Sequence, residues 1–288
     1  MTGRDSVEQQ NSWDTVIRPQ RAWWDLRLDD LWRYRDLIGL LVWRDFIAIY
    51  KQTILGPVWH LIQPLLTTVV FTVIFGGIAK LPTDGLPPFI FYMAGNTVWA
   101  YFSICLLSTS NTFTSNAAIF GKVYFPRLAV PISIVISNLI AFAIRFALFI
   151  AFLGYFMLVG SPVRITAWVF MLPVLILLMA GLGLGGGIII SSLTTKYRDL
   201  QHLATFGIQL FMYASPVIYP VSSVPEKWQW LLLANPLTPI IEVFRLAFLG
   251  TSAVNPVLLL YSAGFTVLLL LVGILIFNRV ENTFMDTV

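Results

Sequence analysis

Two short sets of side chains have the types and spacing to do chemistry: His60, Gln63 and Thr67, and then His202, Thr205, Gln209 and Tyr213. Each set recurs every three or four residues inside an apolar stretch, which is the spacing of one helix face. Projected as helices, His60, Pro64, Thr67, Thr68, Phe71 and Phe75 fall on one side of the first, with Gln63 at its edge. His202, Thr205, Phe206, Gln209, Tyr213 and Pro216 share one side of the second, with Met212 at its edge. Rings beside amides and hydroxyls suit a sugar, whose C–H faces stack on the rings while its hydroxyls hydrogen-bond. Such faces also serve as ordinary helix–helix packing with a few interhelical hydrogen bonds, and both readings stand at this point.

Catalysis is poorly served elsewhere. No Ser-His-Asp arrangement or pair of carboxylates is apparent, and the six Asp and Glu after residue 60 are scattered. The single cysteine, Cys105, excludes an internal disulfide or a cysteine-cluster metal site. No G-x-x-x-x-G-K-[S/T] loop is present, because Gly121-Lys122 is followed by Val123 and lacks the upstream glycine, so the chain has no visible means of hydrolysing ATP. A G-x-G-x-x-G at Gly181, Gly183 and Gly186 lies in an apolar run, where small residues four apart let helices approach closely. It therefore reads as packing, not as a dinucleotide site between strand and helix.

The elements that position these faces follow from composition. Of 288 residues, 58% are hydrophobic and 11% charged, and the mean hydropathy is +0.81. A soluble domain carries about 25% charged residues, so most of this chain faces lipid and the fold is an all-α integral membrane protein. Six stretches reach the roughly 20 apolar residues of a membrane span: about 58–79, 89–113, 128–159, 166–193, 202–220 and 256–278. Thirteen Lys and Arg fall before the first span, in the second–third and fourth–fifth loops or after the last span, against Lys80, Arg164, Lys227 and Arg245 on the other side. That excess puts both termini in the cytosol. The net charge of +4 is explained by these loops and calls for no nucleic acid.

Residues 1–56 read as a cytosolic segment with an amphipathic interfacial helix over about 40–55, without a visible signal peptide, and 57–288 as the six-span domain. In VWRDFIAIYKQTILGPVWHLIQPL (42–65), Val42, Trp43, Phe46, Ile49, Tyr50, Thr53 and Ile54 project opposite Arg44, Asp45, Lys51 and Gln52. Gly56-Pro57 ends that helix and Trp59 meets the headgroup level. Between 221 and 255, two apolar segments too short to span, broken at Asn235-Pro236, read as re-entrant helices over about 226–250. Arg145 is the one full charge deep within a span, expected to find an ion pair or to snorkel, and Phe149, Phe152 and Phe156 beside it are expected to face lipid.

Six motifs occur in order: YKQTILGPVW (50–59), GKVYFPRLAVP (121–131), TKYRDLQ (195–201), SPVIYP (215–220), NPLTPIIEVFR (235–245) and FNRVENTFMDTV (277–288). Together they resemble the type-2 ABC transporter permeases that export O-antigen, capsular polysaccharide and teichoic acid, over roughly residues 40–288. The resemblance implies an inner-membrane homodimer working with two copies of a separate ATP-binding subunit that binds ATP and Mg; this chain itself needs no cofactor. It implies a coupling helix over about Asn116–Pro126, with Asn116, Lys122, Tyr124, Phe125 and Arg127 against the ATPase. It implies that the short helices near 226–250 gate the external mouth. The cargo would be an undecaprenyl-diphosphate-linked polysaccharide, moving through a channel lined by the first and fifth spans. Its lining would be His60, Gln63, Thr67, Phe71, Phe75, His202, Phe206, Gln209 and Tyr213. Arg44, Lys51 and Trp59 would stand at the entrance for the lipid head group, or, for Arg44, attract anionic membrane lipids generally.

Three alternatives have distinct requirements. A type-2 exporter of a drug or lipid differs in cargo alone. An ATP-independent carrier needs titratable groups within its spans, and few exist. A membrane-embedded glycan enzyme needs carboxylates on external loops, where Glu226 and Glu242 are available.

Overall fold

The computed structural model describes residues 28–51, 58–120, 125–197, 199–252 and 255–284. Gly56-Pro57, Lys122, Tyr124 and the segment before residue 28 lie outside them. Every regular element among the described residues is a helix: α1 (Leu28–Arg33), α2 (Arg35–Lys51), α3 (Trp59–Phe71), α4 (Pro88–Ser110), α5 (Thr112–Phe120), α6 (Ala129–Leu158), α7 (Leu172–Thr194), α8 (Leu200–Tyr213), α9 (Glu226–Leu233), α10 (Leu237–Leu249) and α11 (Leu259–Phe284). A π-helical run, Thr72–Ile78, extends α3, and short 3-10 turns lead into α7 and α11. With no water to satisfy free N–H and C=O groups, helices are how this chain can cross a bilayer.

Five of these crossings are long and apolar enough to span: Trp59–Ile78, Pro88–Ser110, Ala129–Leu158, Ala167–Thr194 and Pro256–Val280. The fifth stretch in chain order behaves differently from the sequence expectation. Its helix, α8, stops at Tyr213 instead of near 220. Pro216 and Pro220 account for this, since each removes a backbone donor and disfavours helical geometry in the residue before it. At 14 residues α8 is about 21 Å long, short of a bilayer's apolar thickness. α9 and α10 pass the same test only together, meeting at 97° across Ala234–Pro236.

α4 is the axis of the bundle. It touches α3, α6, α7, α8 and α10, and nearly every side chain from Ile90 to Cys105 is buried. α7 reaches it through the glycines of GLGLGGG. A Cβ at Gly183 would lie 2.7 Å from the Cβ of Cys105, and one at Gly187 2.6 Å from that of Thr109. On the other flank, Gly181 and Gly185 meet Thr266, Leu269 and Leu270 of α11. The G-x-G-x-x-G run is thus a two-sided packing seam.

Phe149 does not face lipid, and Phe152 and Phe156 are only partly exposed. Phe149 is fully buried, 5.4 Å from Phe244 and 5.6 Å from Phe248 of α10 between ring centroids, while Phe152 and Phe156 flank Phe89 of α4. The same α6 face carries Arg145, itself buried at 7% exposure. The reason is packing demand: α10 and α4 bring aromatic rings to this face, and ring–ring contacts are favourable wherever a polar alternative is missing.

At the end of the bundle holding α1 and α2, a second core joins Phe113, Phe120, Phe125, Leu128, Ala129, Val130, Ile188 and Phe277. Leu31, Tyr34, Leu37, Ile38 and Leu41 pack against it, so α2 lies along α6 with Arg35, Asp36 and Arg44 outward. Replacing Gly187 by Val should lower the yield and melting temperature of the purified protein, because overpacking costs about 1–3 kcal/mol. Gly154→Ala, where no atom lies within 4 Å, should change neither.

Candidate functional site

The two polar faces meet different fates. On α3, Pro64, Thr68 and Phe71 turn inward against α4 and α6. Phe71 is 9% exposed, its ring edge-on to Tyr92 at 6.3 Å and to Phe75 at 5.4 Å. This corrects the placement of Phe71 on a channel wall, and Phe75 is drawn into the same cluster. Burying two rings against Tyr92 removes far more apolar surface from water or lipid than leaving them on a polar face. Gln63 remains exposed, and Thr67 spends its hydroxyl on the carbonyl of Gln63 at 2.9 Å. His60 is half-buried, within electrostatic reach of Arg145 on α6.

α8 keeps its face open. His202, Thr205, Gln209 and Tyr213 are exposed, Phe206 is 58% exposed, and Ile208 is the buried residue that anchors the helix on its neighbours. Thr205 donates its hydroxyl to the carbonyl of Gln201 at 3.0 Å, but the imidazole of His202, the amide of Gln209 and the phenol of Tyr213 on the outside of a membrane helix cannot be satisfied by lipid. They need water, a substrate or another protein surface.

Beyond α8 the chain forms no further α-helix before Glu226, only a 3-10 turn at Val221–Ser223, and the bent pair α9–α10 supplies partners for its first part. Asn235 donates Nδ2–H to Ser215 Oγ at 2.8 Å and to the carbonyl of Ala214 at 3.3 Å, while its Oδ1 accepts from the N–H of Leu237 at 3.0 Å. Tyr261 and Ser262 of α11 donate to the carbonyls of Ala234 and Pro236, both at 2.7 Å. Deepest is Arg245. Its Nη1 is 3.0 Å from Glu242 Oε1, both side chains being 2% exposed. Its Nη2 donates to the carbonyl of Val217 at 2.8 Å, and its guanidinium lies 3.8 Å above the ring of Phe91. Ser252 Oγ donates to the other carboxylate oxygen of Glu242 at 3.3 Å.

Sequence reasoning placed Arg245 among the loop charges and Glu242 on an external loop; both are core residues. The available signal was their i, i+3 spacing inside an otherwise apolar helix, which lets opposite charges pair before they are buried. Glu242 is therefore not an accessible carboxylate of the kind a glycan enzyme needs.

At the opposite end, α5 begins at Thr112, directly after Asn111 closes α4, so it lies earlier in the chain than the expected coupling helix. Asn116 donates within its own helix to the carbonyl of Thr112 at 3.0 Å. Phe125 and Arg127 are each 8% exposed, Arg127 over the ring of Phe120 at 5.5 Å. They brace the helix from inside and do not offer a contact surface, because an aromatic ring and a cation stacked on another ring are better satisfied buried together. Exposed at this end are Thr114, Ser115, Lys196 and Tyr197. Nearby, Arg44 donates from Nη2 and Nε to one oxygen, Oδ1, of Asp45, at 2.7 and 2.9 Å. Trp59 is 52% exposed at the start of α3, and Lys51 closes α2.

The ABC-2 type transporter family model matches residues 36–249. That match spans all of the helices from α2 to α10, including the irregular segment and its buried arginine. The chain belongs to the ABC-2 type transporter family. It is a multi-pass permease of the bacterial inner membrane, a transport component and not an enzyme, that works with an ATP-binding subunit. Among characterised relatives, an O-antigen export system permease protein of Klebsiella pneumoniae is 28% identical over 252 residues, 87% of this chain and 94% of the relative. Its counterpart in Myxococcus xanthus is 28% identical over 263 residues, 90% and 98% of the two chains. The polysialic acid transport protein KpsM of Escherichia coli is 23% identical over 256 residues, 87% and 95%.

In this permease Asn235 holds three backbone and side-chain groups at the bend of the hairpin. Asn235→Ala leaves the Leu237 N–H and the Ala214 carbonyl without it, at about 1–3 kcal/mol for a buried polar group left unsatisfied. The purified permease should melt several degrees lower than wild type, measured by intrinsic tryptophan fluorescence, with no change in its helix content by circular dichroism.

Proposed function

We propose that this permease exports a lipid-linked polysaccharide, O-antigen or a similar undecaprenyl-diphosphate-linked glycan, from the cytosol across the inner membrane. Two copies of the chain would enclose the path, with two ATP-binding subunits supplying ATP and Mg on the cytosolic side. The observation that carries the reading is the open face of α8, with His202, Thr205, Phe206, Gln209 and Tyr213 exposed together. The amide of Gln209, the phenol of Tyr213 and the rings of His202 and Phe206 match a polyhydroxylated cargo and mismatch a lipid surround. The relatives named for O-antigen and polysialic acid transport supply the substrate class.

Both termini would be cytosolic, so α5 and the loop of Lys196 and Tyr197 face the ATPase. Gln63, Thr67 and His60 on α3 would flank the path beside the α8 face. At the entrance, Arg44 has only an exposed pair with Asp45 to give up, worth about 0–1 kcal/mol. A diphosphate can displace such a partner at small cost, with Lys51 and Trp59 alongside.

Gln209→Leu and Tyr213→Ala test this in cells carrying the complete complex. Export, read as glycan at the outer face of the membrane, should fall about tenfold, equivalent to roughly 1.4 kcal/mol, while the complex still assembles. Unchanged export in both variants would sink the proposal, and accumulation of a different, lipid-only cargo would move the permease to another branch of its family.

A further inference from the structure

We infer that Arg245 is a positioning residue for transport, the tie that makes the α9–α10 hairpin move as one body with α4 and the segment after α8. The inference rests on the exporter reading for its cargo, but the tie itself is read from geometry. One guanidinium serves three separate elements at once. Nη1 holds Glu242 on its own helix at 3.0 Å, Nη2 holds the Val217 carbonyl in the irregular segment at 2.8 Å, and the flat face lies 3.8 Å over Phe91 of α4. The close approach is built in. A Cβ at Gly95 of α4 would stand 2.6 Å from the Val217 carbonyl oxygen and 3.0 Å from Arg245 Nη2, so a larger residue there would force the three apart. Glu242 is in turn fixed by Ser252 beyond the end of α10.

Only a guanidinium can do this. Its donors are arranged in a rigid planar fork whose face also stacks on a ring, whereas an ammonium is a point charge on a flexible stem. The carbonyl of Val217 sits two residues past Ser215, which Asn235 grips. The hairpin therefore holds the segment at both its bend and its far helix. Released from Arg245, α10 keeps its ring packing on Phe149 and the bonds that Thr166 makes to the Leu246 and Ala247 carbonyls, but the segment after α8 loses its hold on α10 and α4 and can part from them. On our assignment of the faces the hairpin covers the outward end of the path, so release would open that end without ATP.

The energetics separate this role from simple stabilisation. Replacing both members of a buried ion pair by apolar residues of similar volume is often neutral or favourable for folding. Glu242→Leu combined with Arg245→Met should therefore yield assembled complex, its melting temperature lowered by no more than Asn235→Ala lowers it, since the Val217 carbonyl is left bare. Purified with its ATP-binding subunit and reconstituted in proteoliposomes with entrapped calcein, it should leak dye without ATP at least about tenfold faster than wild type, the shift that loss of one charge-assisted hydrogen bond makes in a two-state equilibrium. Arg245→Lys, which keeps the charge but not the fork, should leak at an intermediate rate. Wild-type leak from either assembled variant overturns the inference, and so does failure of both to assemble, which would make the pair purely structural. If the wild-type complex moves a cargo other than a lipid-linked glycan, the exporter reading fails while the leak comparison still decides the tie.

Discussion

A chain that interrupts its helices at membrane depth must find a partner for every backbone group the interruption frees, since hydrocarbon supplies none. The bundle depends on how this permease meets that requirement between Ala214 and Leu237. Pro216, Pro220, Pro225 and Pro236 forbid a continuous helix there, so the carbonyls of Ala214, Val217, Ala234 and Pro236 would otherwise be left bare. Each receives a side-chain donor: Asn235, Arg245, Tyr261 and Ser262 in turn. The donors come from α10, its preceding bend and α11. The break in one element is thereby the reason three others converge, and the external-loop character of this region in the sequence conceals a core.

The rest of the architecture divides labour around α4. Small residues on α7 let it press against α4 on one side and α11 on the other, the cheapest way to bind helices where apolar burial offers no gain over lipid. Aromatic rings of α6 and α10 close the opposite side around Phe149. What this leaves outside is uneven. α3 and α8 are among the less enclosed helices, with three buried residues in α3 and one, Ile208, in α8, and the exposed side of α8 carries His202, Thr205, Gln209 and Tyr213.

Legibility in the sequence followed the same division. The crossings α3, α4, α6, α7 and α11 were readable because length and continuous apolarity are one-dimensional properties. The glycine run was readable as packing for the same reason. Side-chain direction was not, because a helical projection gives a face but not what that face meets. Phe71 and Tyr213 projected alike, yet Phe71 packs on Tyr92 of α4 while Tyr213 stays 55% exposed. Phe125 and Arg127 carry the composition of a docking surface, but a second core lies directly beneath them. Arg245 was misplaced because a charge between prolines reads as loop, and nothing local in the sequence reveals a carbonyl 28 residues upstream.

That misreading has a physical lesson for the pair itself. A buried Arg–Glu contact recovers, through Coulomb attraction and hydrogen bonds, roughly what desolvating both charges costs, so net stability does not explain why a membrane protein would carry one. Geometry does. Apolar side chains at positions 242 and 245 could fill the same space, but they could neither donate to the Val217 carbonyl nor fix the angle between α10 and α4. A cation whose two Nη groups are bonded, with Nε left buried and unbonded, and whose face is stacked favours one arrangement of three elements and penalises others by the cost of a barer buried charge. A membrane channel's mouth needs that steepness more than it needs stability, because a hairpin held by packing alone could settle into many nearly equivalent poses, each passing some solute.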